Sequence, residues 1–155
     1  MRLPVVDRII PPIARPTTNA DADVDAGVAV LVITRDGGLF SAIRDAVSAW
    51  KWTVRQQTDS LALAGHDLSG YPLVIYDGDS GQGNWKDALR HLGSAEGEPC
   101  VLLASRVRDQ YLWNEVVRCG GFDVLSKNVG REHLTRTLRF AWFWKKNARG
   151  PFPNR

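Results

Sequence analysis

Three stretches of this chain end an apolar run on residues able to do chemistry. Leu73-Val-Ile-Tyr is followed by Asp77 and, two places on, Asp79; Val28-Ala-Val-Leu-Val-Ile by Thr34, Arg35 and Asp36; and Phe122-Asp-Val-Leu-Ser by Lys127. Carboxylates gathered at one place can bind a hard cation or act as a nucleophile, and a fixed ammonium can neutralise charge that develops beside them. Taken singly, each residue also has a plain use: an Asp behind a strand starts turns, and a Lys there serves as a surface cation. Other chemistries have less behind them. The loop Gly78 to Gly83 holds three glycines but lacks the G-x-x-x-x-G-K-[ST] pattern of a nucleotide P-loop. His66, His91 and His133 have no partners at ligand spacing, so zinc is not invoked. No Ser/His/Asp or Cys/His set surrounds a sharp strand-to-helix turn, which argues against a hydrolase, and a protein that is not an enzyme is expected.

The elements that must position these residues follow from periodicity. Val28 to Thr34 is a continuous β-branched run of the kind found in a strand buried on both faces, as in a parallel sheet. Leu39/Phe40, Ile43, Val47 and Trp50 then recur at helical spacing, with Asp36 placed to cap the first turn. A short strand over 52–56, a weaker helix over 59–67 and a buried strand over 72–76 follow. Trp85, Leu89 and Leu92 mark a third helix, and 99–104 a fourth strand. Leu112, Val116 and Val117 mark helix 4, 122–125 strand 5, and 131–146 a long helix 5. Alternating strands and helices close as a parallel sheet covered on both faces, because each crossover is right-handed. The expected fold is a flavodoxin-like, doubly wound, five-stranded parallel α/β sheet of order 2-1-3-4-5 flanked by five helices. Ligands of such sheets bind beyond the carboxyl ends of the strands, where Asp77 and Lys127 stand.

With 155 residues and 17.2 kDa the chain has room for one domain and tails. We expect a leader over 1–26, a folded domain over 27–146 and a tail over 147–155. Pro4, Pro11, Pro12 and Pro16, with Asp7 and Arg8, do not suit a signal peptide. No stretch approaches the roughly 18 apolar residues of a membrane span. Cys100 and Cys119 lack CxxC spacing and read as reduced core thiols. A soluble, cytoplasmic protein is the expectation. Charge is uneven: residues 127–155 hold eight basic residues and one acid, a net +7, which against the chain's +3 leaves −4 for the rest.

An Asp directly behind one buried strand and a Lys directly behind the last resembles the receiver domain of two-component response regulators. The resemblance spans roughly 27–146. It is carried by Leu73-Val-Ile-Tyr-Asp77 with its loop to Asn84, by Pro99-Cys-Val-Leu-Leu, and by Gly120-Gly-Phe-Asp-Val-Leu-Ser-Lys127. It implies a stand-alone receiver in a phosphorelay. Asp77 would accept a phosphoryl group from a histidine kinase or phosphotransfer protein, Lys127 would pair with the phosphate, and Mg²⁺ would sit near Asp36, Asp77 and Asp79. The alternative is a pseudo-receiver, the same fold acting as a phosphorylation-independent interaction module.

The chain departs from the receiver pattern at named positions. The acidic pair after strand 1 is replaced by Thr34 and Arg35, leaving Asp36 one place late, so the Mg²⁺ site is expected to be weakened. Arg35 has three placements open to it: beside Asp77 as its charge partner, bridged to Asp77 in the metal's place, or pointing outward. The hydroxyl that ends strand 4 in the family is Ala104, with Ser105 one place later as a substitute. The aromatic of strand 5 is Val124, and the Pro after the Lys is Asn128. On helix 5, Leu134, Leu138 and Ala141/Trp142 form the expected core face, leaving part of Phe140, Phe143 and Trp144 outside it beside several basic residues. Aromatics with Arg anchor protein interfaces. The helix 4–strand 5–helix 5 face is therefore expected to meet a downstream protein or a second copy in a homodimer, rather than nucleic acid or membrane.

Overall fold

The computed structural model describes residues 27–59, 67–79 and 84–147. Five strands, β1 (Ala29–Ile33), β2 (Thr53–Gln57), β3 (Leu73–Asp77), β4 (Cys100–Ser105) and β5 (Asp123–Ser126), form one parallel sheet in the order β2-β1-β3-β4-β5. This is the order expected from the sequence. Four helices are described: α1 (Gly37–Val47, continued by a 3-10 turn over Ser48–Trp50), α2 (Trp85–Gly93) and α3 (Gln110–Arg118) between strands, and α4 (Arg131–Asn147) after β5. The expected helix over 59–67 lies almost wholly outside the described residues, so four helices are described where five were expected.

Side chains alternate between the two faces of each strand, and this period of two divides the core. Val30, Val32, Ile75, Leu102, Ala104 and Leu125 face α1 and α4, meeting Ile43, Val47, Leu134 and Leu138. Leu31, Ile33, Val74, Tyr76, Leu103 and Val124 face α2 and α3, meeting Leu89, Leu92 and Val116. β1, β3 and β4 are apolar on both sides because helices cover both sides. β2, the edge strand, carries the polar run Arg55-Gln-Gln57 and is the most exposed of the five.

Each of the first three helices starts on a side-chain cap that satisfies N–H groups without an intrahelical partner. The Asp36 carboxylate accepts the Gly38 and Leu39 N–H groups at 2.9 and 3.3 Å, Asn84 accepts Lys86 N–H, and Asp109 accepts Leu112 N–H. Cys100 and Cys119 are buried in different core clusters, on opposite faces of the sheet. Among the described residues no helix is long and apolar enough to cross a membrane.

Candidate functional site

Register decides which strand-end residues can meet. Thr34 follows Val32 by two, Asp77 follows Ile75 by two and Lys127 follows Leu125 by two, so all three project to the α1/α4 side at the carboxyl edge. Asp77 pairs in register with Ala104, whose carbonyl accepts the Gly78 N–H at 2.8 Å and fixes the turn behind Asp77. The Lys127 N–H is held by the Ser105 carbonyl at 3.0 Å.

The result is a closed polar cluster. The Lys127 Nζ lies 2.6 Å from Asp77 Oδ1, 3.3 Å from Asp79 Oδ2 and 3.8 Å from Asp36 Oδ2. Asp77 Oδ1 also accepts the Asp79 N–H at 2.9 Å, and its Oδ2 accepts the Thr34 hydroxyl at 2.6 Å. That hydroxyl oxygen in turn accepts the Asp36 N–H at 2.8 Å. Asp79 Oδ2 accepts the Arg106 N–H at 2.9 Å, with the Arg106 guanidinium Nε 3.7 Å away. Thr34 is wholly buried, Asp77 is 1% exposed and the Lys127 side chain is 11% exposed.

Burial alone pushes the Asp77 carboxyl up, but hydrogen bonds from Lys127, Thr34 and the Asp79 N–H, with the Lys127 charge, outweigh it and hold the group below the ordinary carboxylate value. For Lys127 burial acts downward, and the bonds and charges of Asp77 and Asp79 carry it above the ordinary lysine value. Both members of the pair are therefore ionised at neutral pH.

The structure brings together Asp77, Lys127, Asp79 and Asp36, selects one of the three placements open to Arg35 and corrects the expectation for Ser105. Arg35 takes the outward placement: it is exposed and pairs with no described carboxylate, because it falls one residue out of phase with Thr34. The charge partner of Asp77 is Lys127. Ser105 does not substitute for the hydroxyl at Ala104. It follows Leu103 by two and so turns to the α2/α3 side, where its Oγ accepts the Val107 N–H at 3.0 Å. Phe122 packs away from the cluster, against Phe140 and Trp144 at ring-centroid distances of 5.7 and 5.9 Å. His91 is exposed, His133 half-buried, and His66 outside the described residues.

Sequence reasoning named Thr34 at its strand end without giving it a role, and missed Arg106. A polar residue closing an apolar run in phase with its core-facing members was the available signal for Thr34. Arg106 acts chiefly through its backbone N–H, which no residue type announces.

No family model and no curated protein matches the chain. Solved structures do. A response regulator from Thermotoga maritima aligns at a TM-score of 0.64 and 17% identity, over 74% of this chain and 96% of its own. The signal receiver domain of a putative Luxo repressor protein from Vibrio parahaemolyticus aligns at 0.66 and 16%, over 77% and 92%. A putative pilus assembly protein from Burkholderia thailandensis aligns at 0.65 and 18%, over 75% and 98%. The chain has the fold of response regulator receiver domains, built on a sequence far diverged from theirs.

Proposed function

We propose that this chain is a pseudo-receiver, a module of receiver fold that binds a protein partner without being phosphorylated. The observation that carries the reading is the state of Asp77. An attacking carboxylate needs an oxygen open to the phosphorus at about 3–3.5 Å. Asp77 is buried, and both its oxygens already accept hydrogen bonds, from Lys127 and Asp79 on one side and from Thr34 on the other. The Thr34 bond exists because a hydroxyl stands where the resemblance implies an acid.

The module acts by binding. The side formed by α3, β5 and α4 exposes Tyr111 and Trp113 on α3 and Phe140 and Phe143 on α4, with Tyr111 70% and Phe143 58% exposed. Large rigid aromatics anchor interfaces at small entropic cost, so this side suits a downstream protein or a second copy. Structures of this fold carry names from response regulation and from pilus assembly alike.

A second reading has one specific observation in its favour. The Lys127 ammonium 2.6 Å from Asp77 Oδ1 is the pairing that an aspartyl-phosphate site needs, so a single-domain receiver charged by a histidine kinase or phosphotransfer protein is the competing function. Incubation of the intact protein with acetyl phosphate and Mg²⁺, beside a conventional receiver, separates the two. Intact mass spectrometry is expected to show no added phosphoryl group on this protein while the control is modified. An adduct that disappears in Asp77→Asn establishes the second reading instead.

A further inference from the structure

Receiver folds imply a divalent cation beside the acidic residues, and the donor set of this chain does not fit one. Mg²⁺ demands near-ideal octahedral oxygen ligation, keeps several of its waters and is held through one or two carboxylates. Here each carboxylate already has partners within the protein. Asp36 Oδ1 caps α1 through the Gly38 and Leu39 N–H groups. Asp79 Oδ2 holds the Arg106 N–H and the Lys127 ammonium. Asp77 holds Lys127 and the Asp79 N–H on Oδ1 and Thr34 on Oδ2. Three carboxylates share two cations, Lys127 and Arg106, which leaves little net charge to draw a dication. Among the described residues no group of three Asp, Glu, His or Cys is arranged to hold a metal ion.

We infer that Lys127 is the resident cation of this carboxylate cluster, and that the Thr34 hydroxyl, bridging Asp77 Oδ2 and the Asp36 N–H, completes it so that no divalent metal is taken up. Thr34 is the positioning residue of the arrangement. Its proton is donated to Asp77 Oδ2 while Lys127 sits on Oδ1, and its oxygen ties that bond to the N-cap of α1. An acid at the same place would offer a ligand and add repulsion that only a further cation relieves. A valine would remove both the hydrogen bond to Asp77 Oδ2 and the one from the Asp36 N–H. The inference rests on the pseudo-receiver reading and deepens it: the cluster is held in one state by covalently attached groups, with nothing to load or remove.

Mn²⁺ titration of the intact protein, followed by electron paramagnetic resonance, is the test. The wild type is expected to show no saturable uptake. Thr34→Asp is expected to acquire one site, and Asp77→Asn in that background to lose it. Lys127→Met is expected to gain thermal stability on addition of Mg²⁺, which the wild type does not. Saturable wild-type uptake that Asp77→Asn abolishes overturns the inference, as does a folded Thr34→Asp that takes up no metal. Should Thr34→Asp fail to fold, a Lys127→Met variant indifferent to Mg²⁺ overturns it. A wild type that binds Mn²⁺ yet accepts no phosphoryl group sinks this inference alone, whereas an aspartyl-phosphate adduct sinks the reading beneath it.

Discussion

The Lys127 ammonium and the Asp77 carboxylate meet at 2.6 Å although they leave strands separated by β4, with Asp77 1% exposed. The pair joins the carboxyl ends of β3 and β5 across the middle of the sheet edge. Its energetics are those of a buried pair: the pair itself adds modestly to stability, and removing one partner strands the other's charge.

Removing the ammonium should therefore cost far more than a surface pair would. Lys127→Met is expected to lose about 3–5 kcal/mol, because the Asp77 charge is left without its main partner. Asp77→Asn, which keeps the shape and most hydrogen-bonding capacity, is expected to lose less. Urea unfolding of the three proteins at neutral pH checks this. A Lys127→Met cost within about 1 kcal/mol, the range of exposed pairs, contradicts the buried geometry.

The pair also fixes how stability varies with pH. Asp77 is depressed in the folded state, so its contribution is present above the ordinary carboxylate range, about pH 4, and is lost as pH falls through the lower folded value. Lys127 is raised, so its contribution is present below about pH 10 and is lost as pH climbs through the higher folded value. The stability difference between wild type and Asp77→Asn is expected to be flat between these limits and to shrink toward acid. Unfolding measured at a series of pH values reads the difference directly, and a difference that grows toward acid reverses the assigned sign.

On α4 the core and the exposed faces should respond differently to truncation. Leu138 is wholly buried against α1, and Leu138→Ala is expected to cost about 2–5 kcal/mol. Phe143, 58% exposed, should tolerate alanine within about 0.5 kcal/mol in the isolated protein. If the face binds a second copy, Phe143→Ala should instead weaken self-association in sedimentation equilibrium. Equal unfolding costs at the two positions would mean that Phe143 is packed rather than displayed.

The basic end of the chain should not bind nucleic acid. Arg131 donates to the Asp45 carbonyl at 2.8 Å, and Lys145 donates to the Gly97 and Glu98 carbonyls at 3.2 and 2.9 Å. Arg139 lies over Trp50 at 5.0 Å and Lys146 over Trp142 at 5.6 Å. Four of the five Lys and Arg side chains of that helix are engaged in these contacts, and Arg136 takes part in none of them. Fluorescence anisotropy with duplex DNA at low salt is expected to show no binding. Affinity that falls steeply with added salt would refute this.

Contacts of the last helix account for its aromatic content. Trp142 packs edge-on to Trp52 at 6.3 Å and Trp52 on Trp50 at 4.8 Å, while Trp144 meets Phe122. Only Phe140 and Phe143 of that aromatic set are left largely in solvent.

The fold and the edge that carries the site are legible from the pattern along the chain. Apolar runs at 28–34, 72–76 and 99–104 suit strands covered on both faces, and crossovers between parallel strands are right-handed. Asp77 and Lys127 were legible because each stands directly behind such a run. Tertiary structure alone decided the partners. Thr34 and Asp77 are 43 residues apart, and their bond depends on the register of β1 against β3, which local pattern leaves open. The same register turns Arg35 outward and Ser105 to the opposite face, since a shift of one residue along a strand changes sides. Whether Asp77 stands open or closed is likewise a matter of three strand ends converging, and here a threonine and a lysine close it.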